Sequence, residues 1–141
     1  MINPFFKNSG PFNIDKLLEL SNIENIKKYS VQRIENIQDL LSAEKNDITF
    51  FHSKKYENLA RKTNATFCVV TKNLSNILPT SCKPLIVKNV LIATAKITKT
   101  FYPDAVNDNY DEFVEDILNT SFADKVKFGK NVLIGKNIKI G

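Results

Sequence analysis

Apolar positions in this chain recur at two different periods, and the period changes where the organisation changes. After Asn13, the residues Ile14, Leu17, Leu18 and Ser21 fall on one helical stripe, and Asn13 is a suitable cap, so a short helix is predicted there. "YSVQRI" (29–34) alternates imperfectly and predicts a strand. "IQDLLSAE" (37–44) predicts a short helical turn, and "NDITFF" (46–51) a strand introduced by a turn dipeptide. Ser53 can cap a second helix in which Tyr56, Leu59, Ala60 and Thr63 share a face at helical spacing. The apolar, β-branched runs "ATFCVV" (65–70) and "PLIVK" (84–88) predict buried strands. A further helix is predicted over residues 90–101, ended by Pro103. Strands alternating with helices over residues 1–103 predict a compact α/β domain. Residues 104–120 form a polar, turn-rich linker, within which "YDEFVEDIL" (110–118) is a short helix or an irregular joining segment.

From residue 121 the period is six. Phe122, Phe128, Ile134 and Ile140 are followed directly by Ala123, Gly129, Gly135 and Gly141. Val126, Val132 and Ile138 lie two residues before the next bulky member, and Lys125, Asn131 and Asn137 share another column. Residues two apart lie on one face of a strand. Glycine follows where the backbone turns with little room, and asparagine where a left-handed conformation is tolerable. This is the pattern of a hexapeptide-repeat parallel β-helix; coincidental spacing in a β-hairpin is the alternative. The rhythm breaks off at Gly141 with little more than three hexads, so the chain is expected to be a fragment whose missing part continues the helix.

Composition narrows the class. At 141 residues, 43% of them hydrophobic, the chain has material for one ordinary core. The net charge of +5 is spread over single lysines and short pairs, so nucleic acid is not the expected partner. Cys68 and Cys82 fit neither a CxxC motif nor a disulfide framework, and Cys68 is expected as a small buried side chain. No apolar run approaches membrane length and the N-terminus has no secretory pattern, so a cytoplasmic location is expected. His52 is the only histidine and has no nucleophile or carboxylate partner in the sequence pattern; a surface position is expected. No metal cluster, phosphate loop or catalytic triad is visible, so no cofactor is expected and no catalytic residue is assigned.

Four stretches in order, "NDITFFHSKKY" (46–56), "TNATFCVV" (63–70), "VKNVLIATAKITKTFYP" (87–103) and the hexads of 122–141, resemble the bacterial UDP-3-O-(3-hydroxyacyl)glucosamine N-acyltransferase family of lipid A synthesis. The resemblance implies a small N-terminal uridine-binding α/β domain followed by the first coil of a left-handed β-helix. It also implies a homotrimer that takes an acyl chain from acyl carrier protein and places it on UDP-3-O-acyl-glucosamine. The fragment alone is expected to be inactive, since the family's general base is a histidine of later coils.

In that family a Phe and a Tyr hold the uracil, and these fall on Phe50 and Tyr56. Without the resemblance both read as core residues. Because adjacent strand residues face opposite ways, one of Phe50 and Phe51 enters the core while the other faces a pocket. The family's edge-reading Asn is Ser53 here, and its Pro is Lys54. A hydroxyl matches an edge with adjacent donor and acceptor less well than an amide does. For Lys54 and Lys55 at the helix start plain solvent exposure is the favoured reading, and attraction of the diphosphate, with Lys55 as the candidate contact, is the alternative. Two other functions suit the residues alone: a different hexapeptide-repeat nucleotide-sugar transferase, or a non-catalytic interaction or nucleic-acid-binding module.

Overall fold

The structure is a computed structural model that describes residues 6–24, 29, 32–106, 115–130 and 132–135. The chain divides into two compact units, Met1–Val106 and Asn107–Gly141.

In the first unit, strands β3 (Asn36–Ile37), β4 (Asp47–Phe51), β5 (Phe67–Val70) and β6 (Lys83–Ile86) form a four-stranded sheet in that order, every pairing parallel. The register sets Phe50 opposite Val69 and Val69 opposite Leu85. Two short strands, β1 (Phe12–Asn13) and β2 (Arg33–Ile34), pair antiparallel beside it. Residues 30 and 31 of the expected strand 29–34 lie outside the described residues, and Arg33–Ile34 carries the strand.

Both faces of the parallel sheet are covered, as such sheets require. On one face, helices α1 (Ile14–Leu20) and α3 (Val90–Phe101) bring Ile14, Leu17, Leu18, Ala93, Ile97 and Phe101 against Ile48, Phe67, Val69 and Leu85. The other face packs Phe51, Cys68 and Val70 against Leu40, Ala43, Ala60, Ala65 and Cys82. Every residue of β5 is buried because it lies inside the sheet with cover on both sides.

Local chemistry starts α1 and α3 where the sequence places them. Asn13 accepts a hydrogen bond from the Asp15 amide at 3.0 Å, and the stripe Ile14, Leu17, Leu18, Ser21 is buried throughout. Asn89 accepts from the Ile92 amide at 3.1 Å and opens α3, whose buried residues Val90, Ala93, Ile97 and Phe101 keep helical spacing. Asn89→Ala is expected to lower stability by about 0.5–2 kcal/mol, and Asn89→Asp to restore most of it, as read from urea midpoints. Equal midpoints for all three proteins would contradict the capping role. The expected turn at 37–44 forms around Asp39, whose carboxylate accepts from the Leu41 and Ser42 amides while the Ala43 amide donates to its carbonyl.

Two expectations are corrected. "PLIVK" is not a fully buried strand: β6 is an edge, with Pro84 and Ile86 exposed and Leu85 buried. Proline cannot donate to a ladder on both sides, which confines it to such an edge. The helix after Ser53 is also shorter than its stripe implies. It opens as a 3-10 turn, Lys54–Tyr56, and continues only through α2 (Glu57–Ala60). A 3-10 turn has three residues per turn, so a stripe drawn at 3.6 drifts: Ala60 and Thr63 are buried, while Tyr56 and Leu59 face outward.

Cys68 and Cys82 are both buried and unbridged. A hydrogen bond with Cys82 and burial push the Cys68 thiol far up, so it stays protonated, a small core side chain as expected.

In the second unit, β7 (Glu115–Asp116) and β8 (Leu133–Ile134) pair antiparallel, and the Phe122 and Phe128 rings lie 6.4 Å apart. Residues 110–114 of the expected joining segment and residues 131 and 136–141 of the repeat lie outside the described residues. Among the described residues no β-helix coil is formed.

Candidate nucleotide site

The segment from Phe50 to Tyr56 leaves the C-terminal end of a parallel strand, which in open α/β sheets is the end where ligands bind. Strand alternation divides its first residues. Phe51 points into the core and is fully buried, and Phe50 points to the other face, half-buried against the edge of the α1–α3 cluster. Phe50 is therefore the ring of the pair that retains an accessible face.

Beyond the strand, Ser53 stays extended and its hydroxyl oxygen accepts from the Lys55 amide at 3.4 Å, while the Tyr56 amide donates to the Ser53 carbonyl at 3.0 Å. The chain thereby turns back so that Tyr56, 37% exposed, stands beside the strand end. Ser53 is half-buried, and its hydroxyl hydrogen is still available to a ligand acceptor. Lys54 and Lys55 are both exposed. Of the acidic neighbours, Glu57 is occupied by Arg61, with 2.6 Å between its oxygen and the guanidinium.

His52 joins these rings. Its imidazole centroid lies 6.5 Å from Phe50, with planes 27° apart, and 5.5 Å from Tyr56, with planes 48° apart. The side chain is exposed, as the sequence predicts, yet its place in a row of three rings is not foreseen there. The available signal is its position two residues after Phe50, which keeps both on one face of an extended strand. The structure thus places Phe50 near the end of β4 and Ser53, Lys55 and Tyr56 in the turn that follows, with His52 in ring contact with both Phe50 and Tyr56. Such a group offers aromatic faces, one hydroxyl and positive charge, which suits a base attached to an anion. Among the described residues no group of three or more His, Cys, Asp or Glu side chains could hold a metal, and no helix is long and apolar enough to cross a membrane.

Comparison with known proteins adds a family. Residues 32–100 match the model of UDP-3-O-(3-hydroxymyristoyl) glucosamine N-acyltransferase. A UDP-3-O-acylglucosamine N-acyltransferase of Rickettsia canadensis is 31% identical over 100 residues, covering 70% of this chain and 29% of that protein. A protein of Legionella pneumophila strain Paris, UDP-3-O-acylglucosamine N-acyltransferase 2, is 28% identical over 137 residues, 96% of this chain and 37% of its own length. A third, the UDP-3-O-acylglucosamine N-acyltransferase of Ruthia magnifica, is 30% identical over 111 residues, 77% of this chain and 30% of that protein. The chain therefore spans about a third of the length of these relatives.

Proposed function

The chain belongs to the UDP-3-O-acylglucosamine N-acyltransferase family, and from that premise we propose that its N-terminal unit holds the uridine of a UDP-3-O-acyl-glucosamine substrate. The observation that carries this is the segment from Phe50 to Tyr56, which lies within the matched residues and sets two aromatic rings, half-buried and exposed respectively, at a strand's C-terminal end. Uracil stacks on Phe50 and Tyr56; each base–aromatic stack contributes roughly 1–3 kcal/mol. Ser53 offers its hydroxyl to the base edge, and the exposed Lys55 attracts the diphosphate, with Lys54 adding charge beside it.

The whole protein then carries out N-acyl transfer. The glucosamine amine attacks the thioester carbonyl of acyl carrier protein, a C–N bond forms, the C–S bond breaks and a general base removes the amine proton. No residue of this chain is assigned that base. The hexads of 122–141 begin a left-handed β-helix, and three such helices associate as a homotrimer in the cytoplasm.

Ser53 provides the sharpest test of edge recognition. Asparagine keeps a side-chain oxygen able to cap the turn and adds a donor beside the acceptor. Ser53→Asn is expected to tighten UDP binding by the worth of one hydrogen bond, about 0.5–1.5 kcal/mol in a calorimetric titration. Unchanged or weakened binding in a folded variant would remove Ser53 from the base edge.

A further inference from the structure

We propose that the imidazole of His52 is a competitor ring built into the base site, which uracil displaces from Tyr56, making position 52 a determinant of nucleotide affinity. The proposal rests on the uridine reading given above and goes beyond it, because that reading uses only Phe50, Ser53, Tyr56 and Lys55.

The geometry carries it. At a centroid distance of 5.5 Å and a tilt of 48°, the imidazole packs against the Tyr56 ring, so a base that stacks on the contacted side must take its place. A stacked base needs a plane separation of about 3.5 Å, the contact distance of carbon atoms, and two rings cannot share that space. The same imidazole lies 6.5 Å from Phe50 with planes 27° apart, so it neighbours both of the rings assigned to uracil. His52 is exposed and makes no hydrogen bond or ion pair with any described residue, so ring contacts alone hold it and it is able to swing out. Breaking its contact with Tyr56 subtracts from what the base gains. Aromatic pairs of this kind are worth enough to change an equilibrium about three- to tenfold.

The test is UDP binding to the whole protein carrying His52→Ala, His52→Phe or Phe50→Ala, by calorimetry. Removing the competitor is expected to tighten binding about three- to tenfold in His52→Ala. His52→Phe offers Tyr56 a larger apolar ring and is expected to weaken it by a similar factor. Phe50→Ala separates the two levels of the account. If Phe50→Ala weakens UDP binding while His52→Ala weakens it or leaves it unchanged, uridine does bind here but His52 is not a competitor, and the proposal is overturned. If Phe50→Ala leaves binding unchanged, the uridine reading itself is overturned. Position 52 is exposed, so these substitutions are expected to leave the urea midpoint in place, which checks that affinity alone has moved.

Discussion

Phe51→Ala is expected to destabilise the N-terminal unit by about 3–5 kcal/mol, the usual cost of truncating a buried aromatic ring. Phe51 is fully buried, on the face shared with Cys68, Val70 and Ala60. Its neighbours there are mostly small, and the backbone at Phe51 is fixed by parallel pairing with Val70 of β5, so collapse around the vacated volume is restricted. Phe50→Ala removes a half-buried ring at the cluster's edge and should cost clearly less. Urea unfolding of both variants makes the comparison; equal losses would contradict the assignment of one ring to the core and one to the surface.

The second large effect is on binding and has the opposite distribution. Phe50→Ala and Tyr56→Ala are each expected to weaken uridine-nucleotide binding by about 1–3 kcal/mol, between five- and a hundredfold or more, in a protein that remains folded. Tyr56 is 37% exposed at the end of a 3-10 turn and contributes little to the core, so its loss of affinity is not an unfolding effect. Titration with UDP, with circular dichroism to confirm folding, reads the result. Full affinity in both variants would remove these two residues from the site.

Much of the fold is legible in the sequence. The caps at Asn13 and Asn89 and the stripes behind them are local signals, and both helices form where those signals fall. That Phe50 and Phe51 face opposite ways follows from strand alternation, whereas which of them is buried is read only from the packing, where Phe51 is the core ring. What was not legible depends on neighbours or on period. Pro84 marks an edge only once β6 is known to pair on one side. The stripe through Tyr56 and Leu59 fails because the segment begins as a 3-10 turn, whose period differs from the one used to draw it. His52 meets Tyr56 only because the chain turns back at Ser53, a contact that spacing does not encode. Conversely, the six-residue columns of 122–141 belong to a pattern that acquires a core only by stacking, and the described strand Leu133–Ile134 pairs with Glu115–Asp116 instead.

A uracil base is expected to sit on the segment between Phe50 and Tyr56. Photo-crosslinking the whole protein with the diphosphate of 5-iodouridine, followed by mass mapping of the labelled peptide, tests it most directly. Adducts are expected on Phe50, His52 or Tyr56 that excess UDP suppresses and excess ADP does not. Adducts confined to other parts of the chain, or labelling indifferent to which nucleotide competes, would contradict it.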